Sequence, residues 1–197
     1  MSASMGKEAE RPFLEKVGEY LLSLPFDLKI LQEAVTHPDL DRSAREIAAG
    51  TIIHTIGPQE GGDGPMRFVD DVLLVRAALK RVVADGGEHA KEFVARFDSE
   101  AYAKLDDDLK TFEAALGDLW PWLNGKLEGF RKPPYKGKTP SQYVDDDEAA
   151  AFLYEEGLEF QTNYNVTEDK VRNSVRRVDA ILESLNKRRS EDAKKKT

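Results

Sequence analysis

Apolar residues recur three and four positions apart along most of this chain, and no stretch shows the strict alternation of a half-buried strand. Phe13, Leu14, Val17, Tyr20, Leu21 and Leu24 predict a helix from Pro12 to Leu24. Pro25 closes it, because a proline ring removes a hydrogen bond and clashes with the preceding turn. Leu28, Ile30, Leu31, Ala34 and Val35 predict a second, short helix that stops near His37-Pro38. Ser43 stands three residues before Glu46, the spacing of a capping box whose two side chains satisfy free amide groups. A third helix therefore starts there and runs to about Ile56, where Gly57-Pro58 ends it. The fourth, Arg67 to Ala84, carries Phe68, Val72, Val75, Leu79 and Val82 on one face, with Val69, Leu73, Leu74 and Val83 widening the stripe. So broad an apolar surface marks a helix buried on most sides. It is expected at the centre of the core, with Arg76, Lys80 and Arg81 turned to solvent.

Gly86-Gly87 breaks the pattern, and a short helix follows from His89 to Phe97. Tyr102, Leu105, Leu109, Phe112, Leu116, Leu119 or Trp120, Leu123 and Leu127 then resume the helical spacing. Pro121 falls inside this run, so a kink or restart is expected near Trp120. Residues 125–140, GKLEGFRKPPYKGKTP, hold three glycines, three prolines and five basic residues against one acid, and read as an extended linker. Beyond it the charge reverses: Asp145 to Glu159 contains seven acids and no Lys or Arg. Its leading acids fall where a helix N-terminus favours negative charge. Thr167 caps a long final helix with Val171, Val175, Val178, Leu182 and Leu185 at heptad spacing. The expectation is an all-α protein. A helical domain spans residues 11–124, a basic linker 125–140 and a C-terminal helical hairpin 141–190, with disordered tails at 1–10 and 191–197.

Composition narrows the chemistry. A chain of 197 residues can bury a core of its own, and 34% charged residues fit helices with densely charged outer faces. Cysteine is absent, which excludes disulfides, thiolate metal sites and a cysteine nucleophile. The net charge of -8 argues against nonspecific nucleic-acid binding, which needs an excess of Lys and Arg to neutralise phosphates. MSASMGKEAERPF lacks the apolar core of a secretory signal, and no run reaches the roughly 18 apolar residues of a membrane span. A cytoplasmic protein without membrane insertion is expected.

The most specific constellation is the glycine-rich loop Gly57 to Pro65 followed by Asp70-Asp71. The paired acids, with His54 and with Glu60 or Asp63 nearby, could hold a divalent cation, for which oxygen ligands and sharp turns are suited. Adjacent helical residues point about 100° apart, however, so the two acids are expected to start the fourth helix and complement its dipole. The loop is no phosphate cradle: it follows a helix, lacks the Lys-Ser/Thr ending and carries acids that repel phosphate. His37, His54 and His89 show no metal-ligand spacing, and no GxSxG signature occurs. Trp120, Trp122, Phe130 and Tyr135 surround the basic linker. Aromatics among cations can stack bases, anchor a protein interface or seal a core edge. The stripe Val171, Val175, Val178 and Leu182 either docks within the chain, onto the acidic helix around Phe152, or serves a coiled-coil, helix-in-groove or domain-swapped contact.

Val69-Asp70-Asp71-Val72-Leu73-Leu74, followed by Ala77-Ala78-Leu79 and preceded by an apolar helix and a Gly-Pro turn, resembles the YkvA-like domain, a small bacterial helical domain of unknown function. The similarity covers roughly Ala44 to Val83. That family usually has an apolar loop with prolines and aspartates before the paired acids, where this chain has GPQEGGDG. The resemblance implies a helical fold and no particular activity. The functional expectation is a non-catalytic adaptor or regulatory module. It would bind a protein partner, or a second copy, through Trp120, Trp122, Tyr135, Val171, Val175, Val178 and Leu182. The alternative is a metal-dependent hydrolase using Asp70, Asp71 and His54. No cofactor is expected apart from that divalent cation.

Overall fold

A computed structural model describes residues 7–58, 64–97 and 99–195. The described residues form ten α-helices and no strand. The first, α1, runs from Lys7 to Thr36 without a break. Pro12 and Pro25 lie inside it, so the two helices expected on either side of Pro25 are one. Pro25 has no N–H to give the carbonyl four residues earlier, that of Leu21. The Tyr164 hydroxyl donates to that carbonyl instead, at 2.6 Å. Leu21, Leu24, Leu28 and Leu31 are fully buried, and their burial holds the helix together across the proline.

Next comes α2, Arg42–Ile56, which starts one residue before the expected cap. Its first flanking residue is Asp41, with no side-chain cap bond, and the Ser43–Glu46 box does not form. Glu46 is held by Arg42 at 2.8 Å, and the Ser43 hydroxyl accepts from Arg131 at 3.0 Å. A single 3-10 turn, Pro65–Phe68, leads into α3, Val69–Asp85. From Val69 to Leu79 every residue of α3 is buried, and the helix packs on α1 and α2. The central placement read from its apolar stripe is the observed one. Arg76 departs from expectation. It is 5% exposed, its guanidinium lies 3.8 Å over the Tyr20 ring, and it pairs with Asp27 of α1 at 3.1 Å. The Tyr20 hydroxyl in turn hydrogen-bonds Asp108.

Helices α4, Ala90–Phe97, and α5, Ser99–Leu116, follow. Gly117 then takes the left-handed conformation, φ 54°, that closes a helix. The chain restarts as α6, Leu119–Gly129. Pro121 falls in the first turn of α6, where a backbone N–H has no helical acceptor to lose. Residues 125–129, assigned to the linker, complete α6. The irregular stretch is shorter, and it folds back as a tight turn in which Tyr135 and Lys138 exchange backbone hydrogen bonds at 2.8 and 3.0 Å. Phe130 passes directly over Gly50 of α2, where a Cβ would run into the Phe130 backbone.

The C-terminal part is four helices rather than a hairpin: α7, Pro140–Asp145; α8, Asp147–Asn163; α9, Glu168–Ser174; and α10, Val178–Lys195. Thr139 and Gln142 form a reciprocal capping box at the start of α7. Helix α7 lies on α2, and α8 lies along α1. Gln32 of α1 faces Gly157, donates to the Tyr154 carbonyl at 2.7 Å and meets Gln161. The heptad helix is interrupted at residues 175–177, where Arg176 turns back to bond the Arg172 carbonyl at 3.0 Å. The first piece packs on α1 and the 3-10 turn and the second on α1 and α6, rather than on the acidic helix, whose Phe152 stays 40% exposed. Residues 191–195, expected to be disordered, continue α10.

Candidate functional site: a divided cleft beside a buried polar cluster

The end of α2, the 3-10 turn, the start of α3, and α10 bring His54, Arg67, Asp70, Asp71 and Arg188 together. Asp70 is 4% exposed and is gripped by Nη1 of Arg188, whose Nη2 donates to the Arg67 carbonyl at 2.9 Å. One guanidinium thus ties α10 to both a carboxylate and the backbone at the start of α3. Asp71 is 1% exposed, and its Oδ2 has no hydrogen-bond partner. His54 Nε2 is 3.8 Å from its other oxygen, beyond hydrogen-bond reach. Burial pushes the Asp71 carboxyl up to about 8, against the opposing pull of Lys126 and Arg67. Burial, reinforced by Lys126, lowers His54 to about 4. At neutral pH, therefore, a protonated acid faces a neutral imidazole stacked on Phe130, with ring centres 4.3 Å apart. The two aspartates do more than start α3: the helix begins with no side-chain cap bond, and both carboxyls are enclosed.

Among the described residues, no group of three or more His, Asp or Glu is arranged to hold a metal ion. Glu60 and Asp63, the other ligands considered, lie outside the described residues. A dication brought to Asp70 would have to displace Arg188, and at Asp71 it would have to displace a proton.

Two cavities adjoin this cluster, with Arg67 and Phe68 forming a wall of each. The first, about 380 Å³, lies between the 3-10 turn and α8, and Tyr135, Lys136, Glu159, Phe160 and Tyr164 complete it. The second, about 470 Å³, lies between the 3-10 turn and α9, where Gly64, Asn165, Val166, Lys170, Asn173 and Ser174 line it. Ring contacts hold the dividing wall in place. Phe68 packs on Tyr164 and Phe160 at 4.9 and 5.8 Å, and the Arg67 guanidinium lies 4.5 Å over the Phe68 ring. The Nε of Arg67 is buried and unpartnered. In the first cavity Glu156 is held by the Tyr135 hydroxyl and by Lys136 at 2.7 Å, which keep its carboxyl below the usual range.

The partner-binding residues expected from the sequence divide differently. Trp120, Val171 and Val178 are buried, and Trp122, Val175 and Leu182 are partly buried against the core. Their apolar surface is used within the chain. Tyr135 lines the first cavity. Sequence reasoning missed Arg67, Phe160, Tyr164, Lys170 and Asn173. The available signal was Phe160 and Tyr164, four apart at the end of the acidic helix, two aromatics on one helical face. Comparison with protein-family models, curated proteins and solved structures finds no match for the chain.

Proposed function

We propose that the protein is a non-catalytic adaptor, a helical module that holds a segment of a partner protein in the cleft divided by Arg67 and Phe68. The observation that carries this reading is the pair of adjoining cavities. Each falls in the range of about 300–1,000 Å³ typical of binding sites. Four aromatic rings line the first and Phe68 with Val166 the second, and charged side chains line both. Such a surface offers an apolar anchor and orienting polar groups along an extended track, which suits a peptide segment. The resemblance of residues 44–83 to a YkvA-like domain belongs to the same reading, since α2 and α3 are the scaffold beneath the cleft. The metal-dependent hydrolase is the weaker reading, because Asp70 is committed to Arg188 and Asp71 is enclosed as a neutral acid.

The test is a photo-crosslinking amino acid placed at Asn163, on the cleft, and at Lys110, an exposed residue of α5 that lines neither cavity. Adducts concentrated at Asn163 support the adaptor. Equal yields at both positions refute a specific cleft. In parallel, melting is followed with Mg²⁺, Mn²⁺ and Zn²⁺. A stabilisation lost in the Asp70→Asn/Asp71→Asn double variant would restore the hydrolase.

A further inference from the structure

The second cavity has a polarity unlike the rest of the molecule. The chain carries 37 acids against 29 Lys and Arg, yet the described residues lining this cavity include no carboxylate. They include Arg67 and Lys170 as cations, the carboxamides of Asn165 and Asn173, and the hydroxyl of Ser174. What these groups already bond determines what they can still offer. Lys170 spends one N–H on the Asn165 carbonyl at 2.8 Å and keeps two. The Asn173 side-chain oxygen accepts from Arg176 at 2.6 Å, which leaves its NH2 as the group to donate. Arg67 forms no ion pair among the described residues, and because its unpartnered Nε is enclosed, its two Nη groups are what it can offer a ligand. The cavity therefore offers donors from at least three side chains, two of them cationic, beside the apolar surface of Phe68 and Val166.

A carboxylate brings one negative charge and two oxygens. A phosphate monoester brings about -1.5 to -2 charges at neutral pH and three acceptor oxygens. It matches two cations and several converging donors, and a guanidinium can grip it with two parallel bonds. We propose that the cavity between the 3-10 turn and α9 is a phosphate-monoester site, with Arg67 and Lys170 as its principal ligands. On the adaptor reading, on which this second step rests, the monoester is a phosphorylated side chain of the partner. Of the glycine-rich loop, Gly64 is the described residue that lines the cavity.

The first experiment uses the full chain and phenyl phosphate, titrated by calorimetry at low ionic strength. Saturable binding is expected. Arg67→Gln and Lys170→Gln should each weaken it by about tenfold or more, the effect of losing one charge-assisted contact. Lys110→Gln should leave it unchanged, and benzoate should bind at least about tenfold more weakly. Lys170 is exposed, so its variant folds and keeps the test decisive even if Arg67→Gln is unstable. No saturation by about 10 mM overturns the site, as does wild-type affinity retained in both variants or matched by benzoate. Affinity that appears only after Glu60→Gln with Asp63→Asn also overturns it, because the loop's acids would then be the native occupants. A second arm compares phosphoserine peptides with vesicles containing phosphatidic acid. If phenyl phosphate binds and phosphopeptides do not, the monoester site stands and its assignment to a protein partner falls. Vesicle binding lost in Lys170→Gln would identify the source as a lipid headgroup.

Discussion

Tyr164→Phe is the most informative single change, because it removes one oxygen atom and tests how α1 survives a proline at its middle. In the folded chain the Leu21 carbonyl lacks the N–H that residue 25 would supply, and the Tyr164 hydroxyl replaces it at 2.6 Å. Leu21 is fully buried, so its carbonyl has no water to turn to when the hydroxyl is removed. A buried group left without a partner costs about 1–3 kcal/mol, and the ring itself stays packed on Phe68. A loss of about 2 kcal/mol lowers the melting temperature by roughly 4–8 °C in a chain of this size. The mechanism is isolated by repeating the change in Pro25→Ala, where residue 25 regains its N–H and can bond the Leu21 carbonyl directly. Urea unfolding of the four proteins gives the coupling, expected at about 1–2 kcal/mol. If Tyr164→Phe costs the same with either residue at 25, the hydroxyl does not replace a missing helical bond and the explanation fails.

The polar cluster makes a pH prediction whose sign follows from linkage. Asp71 rises from 3.8 unfolded to about 8 folded, so the native state binds the extra proton and stability falls as pH rises through that window. His54 falls from 6.5 to about 4, so the unfolded state binds the extra proton and stability falls as pH drops from 6.5 toward 4. The two oppose each other below 6.5. From there to about 8 Asp71 acts alone, and urea midpoints should decline with pH in the wild type but not in Asp71→Asn. Arg188→Met should cost about 3–5 kcal/mol by stranding Asp70, and Asp70→Asn with Arg188→Met should cost less than the single change. An additive double variant would show that the pair does not interact. Gly50→Ala should destabilise by about 1–3 kcal/mol, because the new methyl meets the Phe130 backbone; an unchanged denaturation curve would mean α6 is free to shift away.

The parts of the fold that were legible in the sequence depend on one element at a time. The width of the apolar stripe on α3 identified the central helix, and Pro121 marked the restart at α6. The misreadings have a common cause, a partner far along the chain that overrides a local rule. Pro25 reads as a stop only until Tyr164, 143 residues beyond Leu21, is found against the Leu21 carbonyl. Arg76 reads as solvent-exposed until Asp27 and Tyr20 of another helix enclose it. The Ser43–Glu46 spacing promises a cap, but both side chains are taken by arginines, one of them Arg131, 88 residues away. The cleft was illegible for the same reason. Arg67 and Lys170 are 103 positions apart in number, and nothing in either local sequence indicates that they share a wall.

These long-range polar pairs also explain why the cleft exists. Apolar burial alone would let α8 slide along α1, since Leu and Ala surfaces tolerate several registers at similar cost. A buried polar group does not, because each wrong register leaves it unpaired. Three contacts fix the C-terminal helices to the N-terminal ones at separated points. Tyr164 joins the Leu21 carbonyl, Gln32 joins the Tyr154 carbonyl, and Arg188 joins Asp70 with the Arg67 carbonyl. The first holds Tyr164, on whose ring Phe68 packs, and the third includes the Arg67 carbonyl, so hydrogen bonds together with ring packing set the position of Arg67 and Phe68. The cavities on either side of that turn are the space left when apolar surfaces are held at a spacing that polar geometry dictates. Loss of either anchor should therefore change ligand affinity in the cleft more than its effect on stability implies.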